Sequence, residues 1–224
     1  MENYKYVLEF SDKEVKHQLI HQALNYAWKS TPSKNNFMNY SVHVLGPDNT
    51  NLRQGLYNKC LKQQMDSNDT QFDSLSQYEE HLEDISATPN FRNILSAPYI
   101  LIYTQRIETI TNKLQQANID RGMVFEQMFS IGTKKHHSAN ALARFETGMF
   151  SANFASKCLH LGIDVSYIGC MPVELEKWQE PEWNFIADKP IIIQLAGYGK
   201  LYKKDVIDPD IDLKPNFKRV VKFV

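Results

Sequence analysis

The spacing of apolar positions divides this chain into helix-period and strand-period blocks. Val15, Leu19, Ala23 and Ala27, with Ile20 and Leu24 beside them, form the stripe of an amphipathic helix. Ser11-Asp12-Lys13-Glu14 ahead of it has the form of a capping box. Pro32 sets its end near Ser30, because proline disfavours helical geometry in the preceding Thr31. Tyr40 to Leu45, closed by Gly46-Pro47, reads as a strand. Residues 48 to 97 read as helices and polar loops, with Gln64 to Thr70 expected to be the most mobile stretch. Pro98 to Thr104 (PYILIYT) is nearly continuously apolar, which predicts a strand covered on both faces. Two or more helices are expected between Glu108 and Phe129.

A long helix is predicted from about Ser138 to Leu161, ended by Gly162 as a left-handed cap. Its apolar stripe includes Leu142, Phe145, Met149 and Leu159, while Gly148, Ser151, Ala152, Ala155 and Ser156 are small enough to admit another helix at close range. That combination predicts a buried central helix at a dimer axis. Ile163 to Ile168 and Pro190 to Ala196 read as strands, and Lys218 to Val224 alternates like a last one. Strands separated by helices, around a sheet apolar on both faces, predict one α+β domain over residues 1–224: a three-layer α-β-α sandwich with a mixed sheet flanked by helices.

Composition narrows the function. The chain has 224 residues, enough for one sizeable core, and its 42% apolar share excludes a disordered or fibrous class. A formal net charge of −1, with both signs mixed along the chain, gives no electrostatic surface for nucleic acid. No run approaches the roughly 20 apolar residues of a membrane helix, and Met1 to Phe10 carries no apolar signal core. Cys60, Cys158 and Cys170 are too widely spaced for a disulfide framework, so a cytoplasmic protein is expected, without nucleic-acid or membrane partners. Cys158 and Cys170 read as buried thiols rather than nucleophiles. His136 and His137 point to different helix faces and have no ligand-spaced partner, so no metal site is predicted.

Three segments carry candidate chemistry, each with a plainer reading beside it. Thr31-Pro32-Ser33-Lys34-Asn35-Asn36 is either ordinary loop chemistry or a set of short polar groups suited to the edge of a planar heterocycle. Tyr167-Ile168-Gly169-Cys170 is either a strand end with a glycine bend or a backbone donor beside an apolar cover. Ile191 to Gly199 is an apolar strand closed by Ala196-Gly197-Tyr198-Gly199, and beyond it Lys214, Lys218 and Arg219 are either a solvated tail or an anion site.

In their order and spacing these segments resemble the nitroreductase family. There a helix ends in a Pro-Ser-x-x-Asn turn, as at Pro32 to Asn36. A segment placed like Met38-Asn39-Tyr40 leads into a strand, and the next strand opens on Ala-Pro, as at Ala97-Pro98. The block from Glu146 to Pro172 and the Gly-Tyr strand end also match in placement. The resemblance implies an intertwined homodimer with FMN at the subunit interface, reduced by NADH or NADPH in a ping-pong reaction. A nitroaromatic, quinone or similar small acceptor would then be reduced in turn. It also implies cofactor contacts from Pro32, Ser33, Lys34, Asn36, Tyr167, Ile168, Gly169 and Cys170, with Lys214 and Arg219 on the phosphate. Gly169 N–H would approach flavin N5, Tyr167 and Ile168 would cover one ring face, and Met38 and Tyr40 would shape the substrate pocket. Family members usually carry phosphate-gripping arginines before the first helix, where this chain offers Met1 to Phe10 with Lys5 as the sole basic residue of that stretch. A flavin-consuming or dehalogenating enzyme on the same scaffold, or a non-catalytic flavin or small-molecule binding module, therefore stand as alternatives.

Overall fold

The computed structural model describes residues 6–33, 38–67, 72–84, 91–106, 113–121, 137–186 and 188–203. In chain order the elements are β1 (Val7–Phe10), α1 (His17–Ser30), β2 (Tyr40–Leu45), α2 (Thr50–Ser67), α3 (Leu75–Asp84), α4 (Asn93–Ser96) and β3 (Tyr99–Gln105). There follow α5 (Lys113–Asp120), α6 (His137–His160), β4 (Asp164–Ile168), 3-10 turns at Leu175–Trp178 and Pro181–Trp183, β5 (Pro190–Gly197) and β6 (Gly199–Tyr202).

The PYILIYT run forms the middle of the sheet, and its first six strand residues, Tyr99 to Thr104, are buried. Alternation sends Tyr99, Leu101 and Tyr103 into a core with α1 and α6, and Ile100 and Ile102 into a second core with α2, α3, α4 and the 3-10 turns. The three-layer sandwich follows from that one strand, which has helices over both faces. The four-stranded sheet has the order β2-β3-β5-β4, and every pairing in it is antiparallel. The expected mixed sheet is corrected on this point: each long excursion between strands returns the chain against its neighbour's direction. The candidate strand Lys218–Val224 lies outside the described residues.

α1 begins at His17, and its N-cap position, Lys16, makes no side-chain capping bond. The capping box at Ser11 is therefore not formed. The Ser11 amide donates instead to the Tyr198 carbonyl at 2.8 Å, because the segment before α1 is β1, paired antiparallel with β6. That two-stranded ribbon was not anticipated. α2 continues through Ser67, so Gln64 to Ser67 are helical, and the rest of the stretch expected to be mobile, to Thr70, lies outside the described residues. α1 ends at Ser30 as Pro32 requires, and α6 ends as Gly162 requires. Gly162 has φ +75°, its amide donates to Leu159 O at 3.1 Å, and the Ile163 amide reaches back to Cys158 O at 2.8 Å. This double bond pattern satisfies the last carbonyls of α6.

α6 packs its Ala143, Phe150, Phe154 and Cys158 face on the sheet. The predicted stripe points the other way: Phe145 is 64% exposed, and Leu142, Met149 and Leu159 are half-buried. The helix is thus apolar on two sides.

Gly197 closes β5 where a Cβ would stand 2.6 Å from Pro98 Cδ and 2.7 Å from the Phe10 ring. Gly197→Ala forces β1 and the start of β3 apart, and should cost about 1–3 kcal/mol in urea unfolding, as overpacked cores do.

Candidate functional site

Thr31 leaves helical geometry at φ −90°, ψ 115°, yet its amide and hydroxyl both still bond Ala27 O, at 2.9 and 2.7 Å. Asn153 of α6 donates its Nδ2 to Thr31 Oγ1 at 3.1 Å, which pins the end of α1 to α6. The turn that follows is held by a carboxylate. Ser33 Oγ donates to Glu146 Oε1 at 2.9 Å and accepts the Met38 amide at 2.8 Å. Glu146 Oε2 accepts the Asn39 amide at 3.1 Å, with Asn39 Nδ2 at 3.5 Å. Glu146 is 1% exposed, so these are bonds to a buried side chain. Met38, at φ +49°, adopts a conformation that L side chains rarely hold. Its amide is directed at Ser33 Oγ, which compensates that strain. Pro32 is exposed beside the turn, and Lys34 and Asn36 lie outside the described residues.

Met38 and Tyr40, the pair expected to shape a substrate pocket, line one groove. It is about 450 Å³ and open, and its other walls are His21, Leu24, Asn25 and Trp28 of α1, Val42 of β2 and Phe150 of α6. The Tyr40 ring meets Phe150 edge-on at 5.3 Å. Burial first, and then the charge of Glu146, push the Tyr40 hydroxyl far above its ordinary range, so it stays protonated and reaches Met38 Sδ at 3.5 Å.

The second predicted segment ends β4. The ladder stops at Ile168 opposite Ile193, and Gly169 is the next residue. A Cβ added at Gly169 would meet open space, so a planar group has room to approach this backbone. Tyr167 and Ile168 point into opposite layers, Tyr167 with its hydroxyl on Ser151 O at 3.3 Å and Ile168 in the α2-side core. Their side chains therefore do not form one common ring cover. Cys170 Sγ lies 3.5 Å from the Cys60 carbonyl, and burial raises the Cys60, Cys158 and Cys170 thiols alike. Cys158 is buried as read, whereas Cys170 is only half-buried.

The two segments are not neighbours within one chain. β2 and β4 are opposite edges of the sheet, with β3 and β5 between them. Three inter-strand spacings, about 14 Å, separate them. Lys214, Lys218 and Arg219 lie outside the described residues. The open backbone at Gly169 fits a flat heterocycle. Glu146 was missed by sequence reasoning; its only signal was a lone carboxylate in the Phe145-Glu146-Thr147-Gly148 stretch of an otherwise small and apolar helix.

The fold is that of the nitroreductases. No family model and no curated sequence matches the chain, so the likeness is one of structure. A nitroreductase-like protein from Streptococcus mutans superposes at TM-score 0.63 with 15% identity, over 100% of this chain and 95% of the other. A candidate NAD(P)H:FMN oxidoreductase from Staphylococcus epidermidis gives 0.59 with 12% identity, over 99% and 92%. A BluB-like flavoprotein from Clostridium difficile gives 0.58 with 13% identity, over 99% and 95%.

The raised thiols make a measurable statement. With iodoacetamide at pH 8, Cys170 should label slowly and first, while Cys60 and Cys158 remain unmodified until the chain is unfolded; mass spectrometry of the digest reads the order.

Proposed function

We propose that this chain is an FMN-dependent oxidoreductase of the nitroreductase type. It works as a homodimer, takes electrons from NADH or NADPH, and passes them to a small nitroaromatic or quinone-like acceptor in a ping-pong cycle. One observation carries the reading: on a nitroreductase fold, the Ser33–Asn39 turn and the Gly169 strand end stand on opposite sheet edges. A flat cofactor bordered by both is then bordered by two copies of the chain. That separation supports the sharing expected from the resemblance, with Gly169 and Lys214 from one copy and Ser33 to Asn36 from the other.

Two further features support a dimer. α6 turns an apolar and small-residue stripe outward, through Phe145, Gly148, Met149, Ala152 and Leu159, and a Cβ at Gly148 would meet nothing. A helix apolar all round belongs inside a larger core. Among the described residues β2 has β3 as its one strand neighbour, so its outer edge is open to a strand such as Lys218–Val224 of a second copy.

FMN, when bound, supplies the two-electron chemistry. The protein's part is to hold and screen it. Gly169 offers a backbone N–H and room beside it, and Lys214 with Arg219 offers positive charge for a phosphate. Met38, Tyr40 and Trp28 offer a partly apolar groove, and Tyr40 remains a neutral hydroxyl at any working pH.

The visible spectrum of the purified protein, before and after anaerobic NAD(P)H, tests the activity. Two flavin bands that bleach are expected. A bound flavin that NAD(P)H leaves oxidised would make the chain a non-catalytic flavin-binding module, and a colourless protein that refuses added FMN would overturn the flavin reading. Lys214→Glu should weaken FMN retention at least about tenfold, the loss of one charge-assisted contact; unchanged flavin content removes Lys214 from the phosphate site. Ala152→Glu places a charge on the outer stripe of α6 without touching the chain's own core. It should shift sedimentation from dimer toward monomer and release FMN with it.

A further inference from the structure

The Ser33–Asn39 turn is tied down by one side chain from a distant part of the chain. Glu146 Oε1 takes the Ser33 hydroxyl at 2.9 Å and Oε2 takes the Asn39 amide at 3.1 Å. The first and last residues of the turn therefore meet on a single buried carboxylate. Ser33 Oγ, its proton committed to Glu146, accepts the Met38 amide at 2.8 Å and so holds Met38 at φ +49°. A neutral acceptor could not do this equally well. A carboxylate presents two acceptors and no donor, and hydrogen bonds to it are roughly twice as strong as neutral ones. An amide in its place would turn an NH2 group toward one of the two donors.

We propose that Glu146 is the positioning residue of this half-site: it holds Ser33, Met38 and Asn39 in the arrangement that the cofactor meets, without touching the cofactor itself. This rests on the flavin reading above and goes beyond it, because it assigns the pre-organisation of that half-site to a residue on the dimer-forming helix. The same helix that would pair the two copies also sets the loop that each lends to the other. Pairing and cofactor affinity are thereby coupled through α6.

The consequences differ by substitution. In Glu146→Gln the rigid Asn39 amide claims the remaining carbonyl oxygen, and Ser33 loses the acceptor for its proton. In Ser33→Ala the same link is cut from the other side, and the Met38 amide loses its acceptor as well. Because both changes break one link, their effects on FMN affinity should not add.

The test uses the full chain and two independent readouts. In the flavin-free protein, amide hydrogen exchange at Met38 and Asn39 should be slow in the wild type and at least about tenfold faster in Glu146→Gln, as loss of one charge-assisted bond implies. FMN titration should show a dissociation constant raised at least about tenfold in either single variant and little further in the double. At FMN saturation, the visible circular dichroism of the bound flavin should differ from wild type, a signature that a general loss of stability would not produce. Wild-type exchange, affinity and dichroism in Glu146→Gln would overturn the proposal. So would additive losses in the double variant. If Glu146→Gln fails to fold, Ser33→Ala, a half-buried surface change, carries the same three readouts. A wild-type protein that takes up no FMN overturns the flavin reading alone, and the exchange rates at Met38 and Asn39 then decide the latch.

Discussion

A helix that is apolar on two opposite sides can be satisfied only by two cores, and α6 is such a helix. Its Phe150, Phe154, Ala155 and Cys158 face fills the space between α1 and the sheet. Its Phe145, Gly148, Met149 and Ala152 face is turned outward. Among the described residues the first face is buried and the second is exposed or half-buried. Burying a phenylalanine is worth roughly 1.5–3 kcal/mol relative to leaving it in water, so a stripe of this kind is a standing drive toward association. Trp28, 56% exposed, adds to the same layer from α1. The geometry of everything on that side of the sheet, including the groove at β2, is referred to this one helix.

Polar groups inside the sandwich are arranged around the same element. Gln194 on β5 accepts the Tyr103 hydroxyl and donates its Nε2 to Ser151 O at 2.9 Å, and Tyr167 of β4 donates to the same carbonyl at 3.3 Å. β4 and β5 thus share one point on α6, and β3 reaches it through Gln194, in a core where an unpaired polar atom costs about 1–3 kcal/mol. Such a network is worth little in net energy but a great deal in register, since sliding α6 by one turn would take the Ser151 carbonyl away from both Gln194 and Tyr167. Glu146 lies five residues before Ser151 on the same helix, so the register that the network enforces also places the carboxylate under the 33–39 turn. A charge far from the sheet's centre is positioned by hydrogen bonds at its centre.

Elements whose cause is local were legible in the sequence. Tyr40–Leu45 was read with its observed limits, and PYILIYT announced a doubly covered strand because both faces of a central strand must be apolar. Gly162 announced the end of α6 because few other residues take positive φ there without cost. What failed was non-local. Ser11 to Glu14 has every residue of a capping box, but the Ser11 amide is claimed by Tyr198, and β1 exists only because β6 returns beside it. Four-residue strands with partners 191 positions apart, as Glu9 and Lys200 are, leave no periodicity to read. The site divides in the same way. Pro32 and Ser33 could be found from a turn motif and Gly169 from a strand end, whereas Glu146 meets its partners at separations of 113 and 107 residues. Its role is a property of the fold, not of its neighbourhood.

The proposed division of the site across the sheet also accounts for why its parts look unremarkable in one chain. A complete pocket inside a monomer would have shown convergent polar groups and an enclosed volume. Here one edge offers a latched turn and an open groove, the other offers a bare backbone at Gly169, and α6 runs between them with an uncovered apolar face. Two-fold association is isologous, so it presents the same patch of both chains to each other. Pairing through α6 would therefore supply each turn with the other chain's strand end twice over, by a single symmetric contact. Half-sites that are rigid separately need only that contact to become a cofactor site. In that proposal the bonds of Glu146 to Ser33 and Asn39, and the ladder ending at Ile168, order each half before the halves meet.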